Sequence, residues 1–547
     1  MSRSRHINNG LCRFNAFSPV LLILLCGGSD LRAQVLFGSI TGNVSDQSGG
    51  AVAGARIVVT SQAENRSIST ASNSSGGYNL VDLSPGDYTV EVTMSGFMSF
   101  RATNVRINAD TVVRVNAPLQ LGAAVESITV DATTESLQTD GADVRYEADL
   151  KSLEDLPTPV GRNYQAELAL LPGFSVTGGG AVRGSNPAAA FQVNANGVAY
   201  EMNNVRIDGA SAINNFNQNV TSYVPGLEAI QVVSAVTSSF GADTGLAAGA
   251  SINVQIKSGG NNIHGSAFEY HTDNDLKARP ALFPISQGKP KMIFNQFGGT
   301  VGGPIKRDKL FYFLSYDGVL SRQSYSTFTT VPTDAAKAGI LTESGNPIYD
   351  PATGIANGSG RQPFSGKVIP LSRMSPISQK IIPLWPEPNQ PGLANNFFVA
   401  ASAPYDRHTV DTKVNYNISP RFTVTAHIGF LDWNEYYVPV FGTQLGGVAI
   451  SGQQAGPANG TTINLTGGAT YIITPGLVLD GYFGFNRSFQ NVLPVDLNQK
   501  VGTDFLGIPG TNGPRNFEGG WPLISISGYN GIGVDQPYMP WIRHDPG

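Results

Sequence analysis

The chain has 547 residues, 41% of them hydrophobic, so it is long enough for several domains with buried cores. Only 14% of the residues are charged, and the net charge of −5 gives no basic surface for nucleic acid, so that class of partner is excluded. Beyond the first thirty residues there is no apolar run of about 18 residues, which excludes a helical membrane protein but not a barrel of alternating strands. The 64 glycines favour a mainly β protein with many turns.

Residues 1–33 have the features of a secretory signal peptide. Several arginines precede the apolar stretch Phe17–Leu25, and a small residue, Ala33, stands before Gln34. We expect cleavage between Ala33 and Gln34. Cys12 and Cys26 are the two cysteines of the sequence and both lie in this segment, so the mature chain is expected to hold neither disulfides nor thiolate metal sites.

The second segment, residues 34–121, consists of short alternating stretches separated by turn sequences. About seven such stretches predict an Ig-like β-sandwich. The strings Gly38–Ser61 and Gly76–Phe97 resemble the carboxypeptidase-regulatory-like domain, which belongs to the carbohydrate-binding-like sandwich group. This resemblance implies a fold and does not demonstrate sugar binding. Tyr78 and Tyr88 are suited to stacking on a sugar, but we expect them in the core.

Residues 122–140 read as a linker that contains a short apolar-rich segment, Ser127-Ile128-Thr129-Val130. From the residues alone, this segment is either the last strand of the sandwich or part of the linker. Its position before a plug-like segment gives it a resemblance to a TonB box. Such a box pairs as a strand with the TonB energy-transducing complex, and backbone pairing would supply the affinity.

Residues 141–258 combine a short helix with β-runs. The string LPTPVGRNYQAELALLPG (Leu156–Gly173) predicts a helix closed by Pro172-Gly173, and a compact β-run follows at Ile230–Val233. Together with Leu227–Tyr270, these residues resemble the plug of TonB-dependent outer-membrane receptors of the Oar-like group, which implies an α+β plug domain. In that group a Lys-Ser-Gly turn leads from the plug into the first barrel strand.

Two local features of this segment bear on its function. The glycines of Gly178–Gly184 lack the Lys-Ser/Thr pair of a phosphate-binding loop, so nucleotide binding is not expected. The sequence Asp243-Thr244-Gly245-Leu246 departs from the acidic-aromatic-Gly-basic step of the family. A plug–barrel ion pair formed there by relatives is therefore in doubt.

Residues 259–547 contain hairpins with strands of about 10–12 residues, the length of a tilted membrane span. The string Asn295–Gly318 resembles the receptor family most closely and places a tight turn at Pro304–Asp308. Two further hairpins turn at Ser419-Pro420-Arg421 and Thr474-Pro475-Gly476, whereas Asp432–Gly460 is a long connection. Short turns that alternate with long loops, and a polar opposite face, favour a transmembrane barrel over a soluble sheet.

The barrel is expected to be partial. We count about seven to ten strands, whereas receptors of this kind close with 22 strands. The chain ends in WIRHDPG (Trp541–Gly547), which does not read as a final alternating strand. The sequence therefore predicts the N-terminal portion of a longer receptor, embedded in outer-membrane lipid with its sandwich in the periplasm.

No catalytic or metal-binding motif is recognisable among the six histidines, and Asp273-Asn274-Asp275 lacks the other ligands of a calcium loop. We expect no enzyme and no cofactor. The resemblance implies uptake of an unidentified extracellular ligand, such as a glycan or a peptide, driven through TonB. One alternative is a structural or adhesive surface protein. Another is a soluble carbohydrate-binding β-protein, which requires the apolar faces of Val410–Phe430 to be buried between sheets.

Overall fold

The computed structural model describes residues 37–108, 111–122, 127–131, 144–149, 153, 160–176, 190–213, 221–238, 247–279, 289–452, 455–474, 477–533 and 541–546. The expected signal peptide with its cleavage site, the glycine run at 178–184 and the step at 243–246 lie outside these residues. None of the described helices is both long and apolar enough to cross a membrane.

The N-terminal domain is a sandwich of two sheets. Its strands are β1 (Gly38–Ser45), β2 (Arg56–Ser61), β3 (Ser67–Ala71), β4 (Gly77–Leu83), β5 (Gly86–Thr93), β6 (Ser99–Ile107), β7 (Val112–Arg114), β8 (Ala117–Pro118) and β9 (Ser127–Asp131). One sheet has the order β4-β1-β7 with β8 also paired to β1, and the other has the order β3-β2-β5-β6-β9. The strand β9 continues the sandwich past Leu121, into the segment that the sequence suggested as a linker.

Alternate residues of these strands fill a separate core, as their period of two requires. Both tyrosines considered as sugar platforms lie in it. The hydroxyl of Tyr78 donates to the Val115 carbonyl oxygen at 2.6 Å, and that of Tyr88 donates to the Ser84 carbonyl oxygen at 2.7 Å. Burial raises the pKa of Tyr78, so its hydroxyl stays protonated and acts as a donor. These side chains serve the fold of the sandwich.

The second domain is a small α+β unit, here called the plug. It consists of β10 (Val144–Asp149), α1 (Gln165–Leu168), β11 (Phe174–Val176), β12 (Val193–Ala195), β13 (Asn204–Ile207), β14 (Ala210–Ser211), β15 (Ile230–Ser238) and β16 (Ser251–Ile256), with 3-10 turns at Tyr200–Met202 and Leu227–Ala229. Its main sheet has the order β10-β15-β16-β13-β14. Every residue of β16 is buried, because this central strand is covered on both faces. The predicted helix is present but ends at Leu168, and Gly173 then turns the chain with φ +83°.

The third part is one antiparallel sheet in which each strand pairs with the next along the chain. Its strands are β17 (His264–Asp273), β18 (Met292–Lys306), β19 (Leu310–Thr329), β20 (Phe397–Ser419), β21 (Phe422–Tyr437), β22 (Gly456–Thr474), β23 (Leu477–Val492) and β24 (Trp541–Pro546). The loops carry α2 (Asp334–Lys337), α3 (Pro376–Ile381), 3-10 turns at Ser365–Lys367, Leu371–Arg373, Ile382–Leu384 and Asn516–Glu518, and a π-helical turn at Val501–Leu506. The sheet is open between β17 and β24 in the described part of the chain.

Four details differ from the sequence prediction. The strands from β18 to β23 have 15 to 23 residues, longer than a membrane span, because their pairing continues into the outer loops. The long connection is correspondingly shorter and runs from 438 to 455. The residues expected not to form a strand at the C-terminus form β24, which pairs with β23. Finally, Pro304 belongs to β18 and not to a turn. Pairing with β17 stops at Gly302, so Pro304 has a neighbour on one side only and its missing N–H is tolerated.

In the barrel strands, apolar residues lie on the outer face and polar residues on the inner face, which is the reverse of the arrangement in a soluble sheet. Apolar residues such as Tyr416, Ile428 and Phe483 are exposed on the outer face, with Ile428 47% exposed. Its neighbour His427 is 1% exposed and faces inward, as do other polar residues of the same strands. This pattern suits a lipid-facing wall and contradicts the soluble alternative, which required the apolar rows to be covered.

The two edges of this wall are different. The C-terminal ends of β18, β20 and β22 lie at one edge, where β18 and β20 are followed by tight turns, and the described loop residues 330–396, 438–452 and 493–533 lie at the other. The long loops pack on one another around their own cluster of buried residues, which includes Trp385, Leu445 and Trp521. The sandwich contacts the tight-turn edge, where Arg66 donates to the Pro420 carbonyl oxygen at 3.0 Å. Since short turns face the periplasm in such barrels, the sandwich lies at the periplasmic end.

Candidate functional site

The plug is seated on the polar inner face of the barrel wall. Part of the contact is apolar: one buried cluster contains plug residues such as Ile207 and Ile230 together with Phe313, Leu431 and Trp433 of the wall. The rest is polar. The two domains therefore share a core, and the plug–barrel interface is the site at which any movement of the plug must begin.

A buried ionic cluster forms the centre of this interface. It consists of Asp208 and Tyr223 of the plug and Asp411, Lys413 and His427 of the wall. The Lys413 ammonium donates to Asp208 Oδ1 at 2.9 Å and to the Ile256 carbonyl oxygen at 2.8 Å. The Tyr223 hydroxyl donates to Asp411 Oδ1 at 2.7 Å. His427 lies between the carboxylates, with Nε2 3.1 Å from Asp411 Oδ1 and Nδ1 3.7 Å from Asp208 Oδ2.

The ionic cluster places the Lys413 ammonium and the His427 ring against two buried carboxylates, Asp208 and Asp411. An unpaired charge in such a place would cost several kcal/mol. Burial and the neighbouring Asp411 carboxylate raise the pKa of Tyr223 well above its usual value, so this phenol is a permanent donor. Its ring approaches the wall closely because residue 429 is glycine. A Cβ atom there would stand 2.4 Å from the Tyr223 ring.

The turn between β13 and β14 presents Asp208 to the wall. Asp208 and Gly209 both have positive φ, at 45° and 90°, as a tight hairpin turn requires. The Asp208 carboxylate also accepts from the Ile256 N–H at 3.2 Å, so it is fixed to the neighbouring plug strand as well. One side chain therefore ties the plug sheet to β20.

A second polar contact joins the plug to the first barrel strand. Arg162 pairs with Glu228 inside the plug at 3.2 Å, and its guanidinium lies 4.0 Å from the ring centre of Tyr270 on β17. Nearby, Glu167 of α1 is buried, and its carboxylate oxygens have no hydrogen-bond partner among the described residues. Burial raises the pKa of Glu167 to about 7, although the Arg162 charge acts in the opposite direction.

Neutral hydrogen bonds complete the interface. The Asn486 amide donates to Ser222 Oγ at 2.6 Å, and the Thr466 hydroxyl donates to the Ile207 carbonyl oxygen at 3.3 Å. Such bonds exchange readily with water when two surfaces separate.

A cavity of about 390 Å³ lies between the sandwich, the plug and the wall at the periplasmic end. Its polar lining residues include Glu64 of the sandwich, Asp208 and Gln255 of the plug, and Asn415 and His427 of the wall. Glu64 is buried there and accepts from the Asn417 amide at 2.7 Å. Burial raises the pKa of Glu64, and the bond from Asn417 opposes this shift.

The four predicted TonB-box residues lie away from this interface. Ser127, Ile128, Thr129 and Val130 belong to β9, which pairs in parallel with β6 over the register Ser99↔Ser127 to Thr103↔Asp131. Of the two local interpretations left open by the sequence, the structure shows the sandwich strand.

Sequence reasoning missed the ionic cluster as a unit. It predicted a polar face on the barrel strands, which carries Asp411 and Lys413, but not the contact of this face with Asp208. Tyr223 and His427 carried no local signal. Across the described ranges, no group of three His, Cys, Asp or Glu side chains is placed to hold a metal ion.

Comparison with known families agrees with this architecture. Residues 255–546 match the family model of the outer membrane beta barrel domain, and residues 39–120 match that of the carboxypeptidase regulatory-like domain. The chain belongs to the outer membrane beta barrel domain family and is located in the outer membrane. The resemblance to Oar-like TonB-dependent receptors that the motifs indicated is confirmed.

Individual relatives are more distant. The chain is 26% identical to the TonB-dependent transporter Oar of Myxococcus xanthus over 317 residues, which cover 55% of this chain and 29% of Oar. Among solved structures, it is similar to a mutant of the ferric enterobactin receptor PfeA of Pseudomonas aeruginosa in complex with enterobactin, with 11% identity and a TM-score of 0.39, covering 73% of this chain and 44% of PfeA. The siderophore receptor PirA of Acinetobacter baumannii matches with 14% identity and a TM-score of 0.31, covering 65% of this chain and 49% of PirA. The chain thus spans less than half the length of each of these relatives.

Proposed function

We propose that the protein is a TonB-dependent outer-membrane receptor that takes up an unidentified ligand by energy-coupled displacement of its plug. The observation that carries this proposal is the seating of the plug on the inner face of the wall through the ionic cluster of Asp208, Tyr223, Asp411, Lys413 and His427. A partner that pulls the plug must separate these five side chains, and they can pair again when the pull ends.

In this account the coupling segment is Ser127–Val130. It is the last strand of the sandwich and precedes the plug in the chain, at the periplasmic end where the inner-membrane TonB complex acts. Pairing with a TonB strand would depend on backbone hydrogen bonds, so its affinity depends on the strand geometry of the segment. No covalent chemistry and no cofactor is required, and the work comes from the inner-membrane proton gradient.

The test is a proline substitution in the coupling segment of the full-length protein. Ile128→Pro removes a backbone N–H, whereas the matched control Ile128→Ala shortens the side chain and keeps the N–H. We expect Ile128→Pro to weaken binding of the purified TonB C-terminal domain at least tenfold, and Ile128→Ala to weaken it less than threefold. Thermal unfolding of the sandwich is measured in both variants, so that a loss of fold is recognised.

Unchanged TonB binding by Ile128→Pro with an intact sandwich would eliminate the coupling role of this segment. The remaining explanation would then be a structural or adhesive surface protein that the barrel anchors in the membrane. That alternative predicts that cell-surface adhesion persists in cells without TonB.

A further inference from the structure

The cavity between the sandwich, the plug and the wall, here called the periplasmic chamber, is lined by buried polar atoms that lack partners. Asp208 Oδ2, Asn415 Oδ1 and His427 Nδ1 form no hydrogen bond within the described residues, and all three side chains line the chamber. Asp208 is 5% exposed, Asn415 6% and His427 1%. Buried polar atoms without partners are costly to a fold, so a chamber built in this way suits a guest that hydrogen-bonds to its walls.

Glu64 of the sandwich brings a carboxylate to the same chamber without a direct counter-ion. It is 8% exposed and accepts from the neutral Asn417 amide at 2.7 Å, and within the described residues no lysine or arginine forms an ion pair with it. Lys413 also lines the chamber, but its ammonium already pairs with Asp208 Oδ1 at 2.9 Å. The Arg66 and Lys413 charges lower the pKa of Glu64, yet burial outweighs them and the pKa is raised. A cation bound in the chamber would supply the missing counter-charge.

The walls of the chamber select a guest by its chemistry. Asp208 Oδ2 and Asn415 Oδ1 are acceptors, and the Glu64 carboxylate disfavours an anion. An ammonium or a guanidinium carries donors and no acceptor, which matches such walls, whereas a sugar hydroxyl also brings acceptors that need donors. A metal ion fits less well, because across the described ranges no group of three His, Cys, Asp or Glu side chains is placed to hold one. The volume of about 390 Å³ accommodates the charged head of a lysine or arginine side chain.

We propose that the periplasmic chamber binds an organic cation, an ammonium or guanidinium group of the transported ligand, against Glu64 and Asp208. This inference rests on the proposed function and names the chemical class of the ligand. The chamber lies behind the plug, so a ligand that passes the displaced plug meets it before reaching the periplasm. Gln62 and Asp87 line the chamber and are exposed, so a small probe reaches it from the periplasmic side of the resting protein.

The first test compares two small probes of nearly equal size. N-acetyl-L-argininamide carries a guanidinium, and N-acetyl-L-citrullinamide replaces it with a neutral ureido group. Calorimetric titration of the purified full-length protein gives the Kd of each probe. We expect the arginine probe to bind at one site and at least tenfold more tightly than the citrulline probe, because only the guanidinium offsets the charge of the carboxylates. Absence of binding, or equal Kd values for the two probes, would overturn the proposal.

A substitution in the sandwich identifies the charge that the cation meets. Glu64→Gln keeps an oxygen that accepts from the Asn417 amide but removes the negative charge. The matched control Glu91→Gln makes the same change at an exposed position of β5, outside the chamber. We expect Glu64→Gln to weaken binding of the arginine probe at least fivefold and Glu91→Gln to change it less than twofold. Unchanged binding in Glu64→Gln, or an equal loss in both variants, would contradict the proposal.

A chemical label tests the location of the site without changing its charge. Gln231 of β15 is half-buried and lines the chamber. Gln231→Cys is made in a Cys12→Ser/Cys26→Ser background and is then modified with N-ethylmaleimide, which places a bulky neutral group in the chamber. The unmodified variant should bind the arginine probe within twofold of the original protein, and modification should weaken binding at least tenfold. Equal binding before and after complete modification would place the probe elsewhere and overturn the proposal.

Calcium chloride serves as the metal probe. At a concentration equal to that of the arginine probe, calcium should not displace it, and displacement would assign the chamber to a metal ion and overturn the proposal. This inference and the proposed function fail in different experiments. If Ile128→Pro leaves TonB binding unchanged, the proposed function fails whatever the probes do. If Ile128→Pro loses TonB binding but the arginine probe does not bind, this inference alone fails.

Discussion

The sandwich and the plug are both small β-rich domains, but they are attached to the barrel in different ways. The sandwich has a complete core of its own and meets the rim through hydrogen bonds. The core of the plug is continuous with the wall, and a buried ionic cluster ties the two together. Equal pulls should therefore move the sandwich easily and the plug only after buried charges are separated.

This difference assigns the two domains different tasks. A body with its own core keeps its fold when its contacts break, so it can serve as a handle. A domain that shares its core with the wall resists movement until enough work is done, so it can serve as a closure.

Loss of the central cation should release the plug. Lys413→Met removes the charge that pairs with Asp208, and breaking a buried ion pair on one side costs about 3–5 kcal/mol. We expect the free energy of plug opening, measured by hydrogen exchange of the β13 and β16 amides, to fall by about that amount. The control is the double variant Lys413→Met/Asp208→Asn, whose loss should be smaller than that of Lys413→Met. A loss below about 1 kcal/mol in Lys413→Met would contradict the role of the ionic cluster.

The separation of the cores can be tested with two matched substitutions. Ile57 of β2 and Ile252 of β16 are both buried, at 0% and 2% exposure. Ile57→Ala should destabilise the sandwich by about 2–5 kcal/mol and leave hydrogen exchange in the plug unchanged. Ile252→Ala should cost a similar amount in the plug and also raise exchange in β19 and β21. If Ile57→Ala reduced the stability of both the sandwich and the plug, the sandwich would not have a core separate from that of the plug.

The stability of the plug should depend on pH through Glu167. Because burial raises the pKa of Glu167 to about 7, the folded plug binds a proton more tightly than the unfolded chain does. This contribution is fully present below the usual glutamate pKa and is lost as the pH rises through about 7. Glu167→Gln should remove the dependence and stabilise the plug by about 1–3 kcal/mol at pH 8, measured by exchange at α1. An unchanged pH profile would exclude Glu167 as the source.

The smallest effect is expected where the sandwich meets the rim. Burial raises the pKa of Glu64, so docking of the sandwich should weaken as the pH rises through and above the usual glutamate range. Glu64→Gln keeps an oxygen that accepts from the Asn417 amide and should remove this trend. Spin labels on the sandwich and the barrel report docking as a distance, with an expected change of less than about 1 kcal/mol. A pH-dependent distance in Glu64→Gln would point to another group.

Much of the fold could be predicted from local signals. The hairpin around Ser419-Pro420-Arg421 was predicted correctly because the alternation on both sides and the turn residues are all nearby in sequence. The turn predicted at Pro304 was wrong, because the structure at this position depends on pairing with residues distant in sequence. Proline normally marks a turn, but here it continues a strand at a point where the neighbouring strand has ended, and this depends on the register with β17.

The functional contacts depend on long-range pairing. Asp208 and Lys413 are 205 residues apart, and no local pattern joins them. The alternation did identify the polar face that carries Asp411 and Lys413, but not which plug residues would meet it. The coupling segment shows a related limit. A five-residue β-run fits a linker or a sandwich strand equally well, and its pairing with β6 decides between them.

Single-molecule force spectroscopy through a bound TonB domain tests the account most directly. The full-length protein is held in a lipid bilayer and pulled from the periplasmic side. We predict that the plug leaves the barrel while the wall stays folded, and that Lys413→Met lowers the force of this step whereas Ile57→Ala does not change it. Release of the plug only together with unfolding of the wall, or at the same force in Lys413→Met, would contradict the account.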